Sequence, residues 1–129
     1  MISYLLDTNV ALISVSEPER LSHSVRTAML GGNNVLSIVT YWEVMLKSMK
    51  GKLDVGDPRT WWSLAHEQLR ATSLGLRTEH VSAVYSLPPI HQDPFDRILL
   101  AQAKVSGLTL LTTDSTVGRY ASDEMKILA

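Results

Sequence analysis

Cysteine is absent from the 129 residues, so disulfides and thiolate metal sites are excluded, in keeping with a reducing cytosol. No apolar run approaches the length needed to cross a bilayer. The N-terminus offers only Ile2 to Leu6 before Asp7 interrupts it, with no secretory signal pattern. A cytoplasmic location is the expectation. No linker, repeat or low-complexity stretch divides the chain, so residues 1–129 read as one domain able to build its own core. Charge of one sign is lacking too: the formal net charge of -1 does not advertise the basic surface of many nucleic-acid binders. That changes if several of the 13 acidic residues surround a metal ion, because the remaining surface is then net basic.

What is present alternates between strand and helix. Ile2–Leu6 is a continuous apolar run, as expected of a strand buried on both faces, and Asp7 follows it. Val10 to Val15 reads as a helix that Asp7 or Asn9 can cap. Ser16 and Glu19 have capping-box spacing and predict a helix reaching about Leu30, with Arg20, His23 and Arg26 on a solvated face. Gly31 to Asn34 reads as a turn, and Val35–Val39 as a second strand. Thr40 and Glu43 repeat the capping-box spacing. Trp42, Met45, Leu46 and Met49 form an expected core stripe on a helix ending at Gly51. Glu43 lies off that stripe and can pair with Lys47 one turn on.

Asp57-Pro58 opens a further helix, whose adjacent Trp61 and Trp62 are expected in the core or at an interface rather than stacked on bases. Ser73 to Leu76 is a short extended link. Thr78 is an expected cap for a short helix reaching Ser86, and Leu87-Pro88-Pro89-Ile90 is a stiff loop. Leu108–Thr112 and Met125–Leu128 read as the last strands. This alternation predicts an α/β fold of three layers, α/β/α, around a short, mostly parallel sheet.

The stretch from His91 to Lys104 carries the most information. Asp93 fits a helix N-cap, and Pro94 sits at the first helical position where its missing N–H is harmless. Asp96 then lies at the third helical position, ahead of an almost wholly apolar run that ends at Gly107. An Asp93 carboxylate occupied by backbone donors leaves Asp96 free for other work. Arg97, four residues after Asp93, can hold the cap in place.

Asp7 and Asp114 end strands, while Glu43 and Asp96 open helices. In a parallel α/β sheet all four positions lie at the carboxyl edge, where ligand sites form. Each acid has a local reading as a cap, but four independent caps explain their convergence poorly. Two carboxylates about 5 Å apart repel by roughly 3 kcal/mol at an effective dielectric near 20, and a Mg²⁺ or Mn²⁺ ion reverses the sign. Hard oxygen ligands suit these ions, which can activate water and orient a phosphate. The chain has no obvious nucleophilic triad. Thr8, Asn9, Thr40 and Asp93 are expected to orient the acids. His91 is the histidine nearest the site in sequence; a lone histidine is more often structural, and no catalytic role is assigned to it.

Leu6-Asp7-Thr8-Asn9, Thr40-Tyr41-Trp42-Glu43, Gly51-Lys52-Leu53, His91-Gln92-Asp93-Pro94-Phe95-Asp96-Arg97 through Ala101-Gln102-Ala103, and Thr112-Thr113-Asp114 occur in that order. With these segments the chain resembles the PIN-domain ribonucleases, most closely the VapC-type toxins of bacterial toxin–antitoxin pairs. The resemblance spans nearly the whole chain. It implies Mg²⁺ or Mn²⁺ dependence, endonucleolytic RNA cleavage, homodimers, and a cognate antitoxin that blocks the site. Asp7, Glu43 and Asp96 match the family's three central acids, with Glu43 acting directly or through water and Thr112 in support. Many relatives carry Asn near Asp114 and an acid a few residues later, where this chain has Val117 and Gly118. Asp114 is therefore a ligand, a water-mediated contact or a structural acid. Lys47, Lys50, Arg97 and Lys104 are candidates for RNA backbone contacts. Two other readings compete. One is a non-catalytic scaffold of the same fold. The other is a phospho-acceptor receiver module, which needs an acid pair after the first strand where this chain has Asp7 alone.

Overall fold

Leu5 and Leu6 are both completely buried yet belong to different hydrophobic cores. Successive strand residues point to opposite faces, so a strand with both residues buried must be covered on both sides. That is the arrangement in the computed structural model, which describes residues 1–129. Strands β1 (Ser3–Leu6), β2 (Asn33–Ser37), β3 (Thr72–Leu74), β4 (Thr109–Leu111) and β5 (Ile127–Leu128) form one sheet in the order β3-β2-β1-β4-β5. Every pairing is parallel, so the expected mostly parallel sheet is wholly so. The order also differs from the 2-1-3-4-5 arrangement of receiver-type folds.

Helices α1 (Thr8–Ser16), α2 (His23–Gly31), α3 (Ile38–Met49) and α4 (Pro58–Leu69) supply Val10, Val25, Val44 and Trp61 to the core that contains Leu6, Leu36 and Leu111. Helices α5 (Thr78–Val84) and α6 (Pro94–Ser106), with α7 (Ser115–Gly118), cover the other face around Leu5, Leu99 and Leu110. Right-handed crossovers explain the division. The chain steps from β1 to β2 to β3 in one direction, then reverses past β1 to β4 and β5. Reversal of direction transfers the connecting helices to the opposite face.

Several expected elements shift. The helix predicted from Ser16 to Leu30 is split. Ser16 ends α1, donating its hydroxyl to Leu12 O at 3.0 Å. Glu17, which precedes Pro18, is held out of the helical region at φ -144°, ψ 64°. A 3-10 turn over Pro18–Arg20 follows, and Ser22 caps α2 through Val25 N. Asn34 is not in a turn; β2 already includes it, and its amide donates to Met29 O and Leu69 O, both at 3.0 Å.

The cap of helix α3 lies three residues before the expected one. Ser37, where the chain leaves β2, accepts from Val39 N at 3.0 Å, which places Thr40 inside the helix. The expected core stripe is reversed as well. Trp42 and Met49 are exposed, together with Ile38, while Val39, Thr40, Glu43 and Val44 are buried. Thr78 is likewise inside α5, because the ring of buried His80 accepts from Arg77 N at 3.0 Å and closes that end. Trp61 does lie in the core, and Trp62 stacks on Tyr41 with ring centroids 4.8 Å apart.

Candidate active site

The reversal in strand order falls between β1 and β4, and the carboxyl ends of these neighbours define a crevice of the kind that binds ligands in open α/β sheets. Asp7 is the first residue past β1. Its N–H still pairs with Leu111 O of β4 at 3.0 Å, while its Oδ1 caps α1 by accepting from Val10 N at 2.8 Å. Across the crevice, Asp114 follows β4 and caps α7 with Oδ1, accepting from Thr116 N at 2.7 Å. Both acids are therefore caps, as the local reading held, and both are also brought to one edge.

Asp93 caps α6, its Oδ1 accepting from Phe95 N at 2.9 Å and Asp96 N at 3.0 Å. The Asp96 carboxylate makes no capping bond and meets His91 instead, with Nε2 to Oδ2 at 2.7 Å. From α3, nearly buried Glu43 reaches the same edge. Thr8 Oγ1 donates to Glu43 Oε1 at 2.7 Å, Thr40 Oγ1 lies 3.2 Å from Thr8 Oγ1, and Lys47 Nζ pairs with Oε2 at 2.8 Å. The capping-box role expected for Thr40 and Glu43 is thus replaced by a buried hydroxyl–carboxylate network, while the Glu43–Lys47 pair is present.

Electrostatics record how close these groups are. Burial pushes the Asp7 carboxyl up to about 6, against hydrogen bonds from the Thr112 hydroxyl and Val10 N–H, and the charges of Asp96 and Asp114 push the same way. Burial also raises Asp96; His91 opposes this, and Asp93 and Glu43 add to it. Lys47 is held protonated above its ordinary range, first by its bond to Glu43 and further by Asp93 and Asp96.

One oxygen each from Asp96 and Asp114 and one ring nitrogen of His91 lie within 4.8 Å of one another. Such a donor set, adjoined by Asp7 and Glu43, fits a divalent cation: the carboxylates repel one another, and the cation offsets that repulsion. The tight triple differs from the set expected from sequence. Asp7 and Glu43 flank it, and His91, which had been given no role, is a member. Its membership is set by the loop fold, since no helical spacing relates residue 91 to residue 96 across a turn that begins at Asp93.

The other expected residues divide. Thr8, Thr40, Asp93 and Thr112 support the acids as described, while Asn9 is exposed in the first turn of α1. Arg97 does not brace Asp93. Its guanidinium donates to Val84 O, Pro88 O and His91 O at 3.1, 3.1 and 3.2 Å and to Tyr120 Oη at 3.3 Å, clamping the loop that carries His91. Lys50 is exposed at the end of α3. Lys104 lies in the last turn of α6, about 12 Å along the helix from Asp96, and pairs with Glu124 at 3.6 Å. A cavity of about 790 Å³ touches none of these residues; it opens at the opposite edge of the sheet between Arg26, Asn34 and Arg70.

No curated protein sequence matches the chain. Solved structures do. VapBC from Salmonella typhimurium bound to DNA is similar with a TM-score of 0.72 and 15% identity, over 99% of this chain and 98% of that one. VapBC2 from Rickettsia felis, bound to a DNA fragment from its promoter, gives 0.71 and 13% over 98% of each chain. VapBC-5 from Mycobacterium tuberculosis gives 0.65 and 14% over 99% and 98%. At these identities the likeness is one of fold. The sequence pattern of the PIN domain, in contrast, matches residues 4–122, which takes in all four acids and every segment noted above in full. The chain belongs to the PIN domain family.

Proposed function

We propose that this protein is a metal-dependent endoribonuclease acting as the toxin of a toxin–antitoxin pair. The observation that carries the reading is the meeting of Asp7, Glu43, Asp96 and Asp114 at the β1–β4 crevice of a PIN domain, close enough for Asp96 and Asp114 to help raise the Asp7 carboxyl to about 6. A fold gains nothing from gathering so many acids unless a cation joins them.

The residues present suit Mg²⁺ or Mn²⁺. Asp7, Asp96 and Asp114 would hold the ion, with Glu43 acting directly or through water. An ion held there would supply positive charge to the scissile phosphate and acidify the attacking water. The protein's own residues do the rest. Thr8 and Lys47 fix the Glu43 carboxylate. Asp93 satisfies the first amides of α6, which leaves the Asp96 carboxylate clear of the helix end. Lys47 and Lys50 offer positive charge along α3 for the RNA backbone. Arg97 serves this purpose less, because both of its terminal nitrogens are already bonded.

VapBC-5 belongs to a family of toxin–antitoxin systems, which supports a cognate antitoxin here. Exposed Ile38, Trp42 and Met49 follow one face of α3, which supports a homodimer. No helix is long and apolar enough to cross a membrane, and a cytoplasmic site of action fits RNA as substrate.

The test is incubation of the purified protein with defined RNAs in Mg²⁺ or Mn²⁺, with EDTA as control. Cleavage that needs the ion and disappears in Asp7→Asn and Asp96→Asn is expected. Cleavage that persists in EDTA, or in either folded variant, would overturn the assignment. So would the absence of cleavage by the wild-type protein across a broad RNA set, which would favour a non-catalytic scaffold.

A further inference from the structure

We propose that His91 is itself a ligand at this centre, making it a mixed nitrogen–oxygen site that selects Mn²⁺ over Mg²⁺. The inference rests on the reading of the acid cluster as a metal site and adds a residue and an ion preference to it.

The geometry is the first ground. His91 Nε2 lies 2.7 Å from Asp96 Oδ2, and the ligand atoms of His91, Asp96 and Asp114 all fall within 4.8 Å of one another. Ligands about 2.1 Å from an octahedral ion stand about 3 Å apart when adjacent and about 4.2 Å apart when opposite. The triple matches that scale without any loop having to move far.

The second ground is that the imidazole is held from behind. His91 N donates to Tyr120 Oη at 2.8 Å, and His91 O accepts from Arg97 at 3.2 Å. Arg97 in turn grips Val84 O and Pro88 O. A ring on a free loop would lose conformational freedom on binding an ion; this one is already positioned. Its side chain is only 23% exposed, so the nitrogen faces the acids rather than bulk water.

Free donor atoms are the third ground. Asp114 commits Oδ1 to the amides of α7, and Asp96 uses neither oxygen for capping. Each of the two acids still offers an oxygen, and one oxygen from each lies within 4.8 Å of an imidazole nitrogen of His91. The nitrogen lone pair changes the chemistry there. Both ions take oxygen ligands, but Mg²⁺ holds to oxygen and water, whereas Mn²⁺, a first-row transition ion, accepts an imidazole nitrogen more readily. His91 Nε2 and Asp96 Oδ2 already lie 2.7 Å apart, so an ion bound between them would replace that contact.

Pulsed electron paramagnetic resonance of the Mn²⁺-loaded full chain tests the inference directly, because a coordinated imidazole adds nitrogen modulation to the Mn²⁺ signal. Nitrogen coupling is expected in the wild type and its loss in His91→Ala, with circular dichroism showing that the variant is folded. Calorimetric titration should show Mn²⁺ affinity falling about tenfold or more in His91→Ala, while Mg²⁺ affinity changes little. Asp96→Asn should weaken both ions. Mn²⁺ bound without nitrogen coupling, or an unchanged Mn²⁺/Mg²⁺ preference in His91→Ala, overturns the His91 assignment and leaves the acid site standing. Failure of the wild type to bind either ion overturns both.

Discussion

Thr8 and Glu43, which are 35 residues apart in sequence, share a 2.7 Å hydrogen bond between the first turn of α1 and the middle of α3. The bond fixes one oxygen of a buried carboxylate, and Lys47 fixes the other. Glu43 is therefore held in one orientation before any ligand arrives. Thr8→Val keeps the shape and removes the donor. Hydrogen bonds to charged groups are worth about 1.5–3 kcal/mol, so denaturant unfolding should show a loss of that order, together with reduced cleavage. Thr8→Ser should restore both. Wild-type stability and activity in Thr8→Val would show that the bond has no such role.

Asp7 carries a cost in stability. Its carboxyl ionises near 3.8 in an unfolded chain and at about 6 in the fold. A raised carboxyl favours the protonated folded state: the stabilising contribution is full below about pH 4 and lost as pH rises through about 6. Ionised Asp7 thus costs the metal-free fold about 3 kcal/mol. Asn is as good a helix cap, so Asp7→Asn should be inactive yet more stable than wild type at pH 7.5 in EDTA. The gap should shrink towards pH 4. Urea unfolding across that range measures it, and a gap that does not vary with pH would contradict the assignment.

Divalent ions should reverse that cost. A ligand at a hundred times its dissociation constant stabilises the fold by about 2.7 kcal/mol, which raises the melting temperature of a chain of this size by roughly 10 °C. Thermal melts in MnCl₂ or MgCl₂ against EDTA should show a rise in the wild type and little change in Asp7→Asn or Asp96→Asn.

Two basic residues should separate in a binding experiment. Arg97 clamps a loop through four acceptors, so Arg97→Ala should lower stability by about 2–4 kcal/mol. Lys50 is exposed, and Lys50→Ala should leave stability unchanged. It should lower the slope of log affinity for single-stranded RNA against log salt by about 0.7, measured in an Asp96→Asn background to prevent cleavage.

The apolar face of α3 predicts self-association. Light scattering after size exclusion should give twice the chain mass, and Met49→Glu should reduce it to the monomer. A monomeric wild type would remove the role proposed for Ile38, Trp42 and Met49.

Much of this protein is written locally. The cap at Asp93, Pro94 behind it, the end of α6 at Gly107, and Asp7 and Asp114 at strand ends all follow from neighbouring residues, because capping and strand termination act within a few positions. The three-layer plan follows as well, from apolar runs too continuous for a one-sided sheet. Local signals misled where two residues of equal aptitude competed. Ser37 rather than Thr40 caps α3, since the cap falls where β2 leaves the sheet, and sequence does not mark that point. Periodicity identified an apolar face on α3 but not what it meets; Trp42 and Met49 face outwards, while Glu43 turns in towards Thr8. Only the tertiary structure decided that His91 joins Asp96 and Asp114 and that Arg97 holds the loop rather than the cap. Those relationships arise from loops and from strands adjacent in the sheet but distant in the chain, where no local periodicity relates one side chain to another. The sequence by itself determined which residues can carry the chemistry, and the packing of β1 against β4 decided which of them meet.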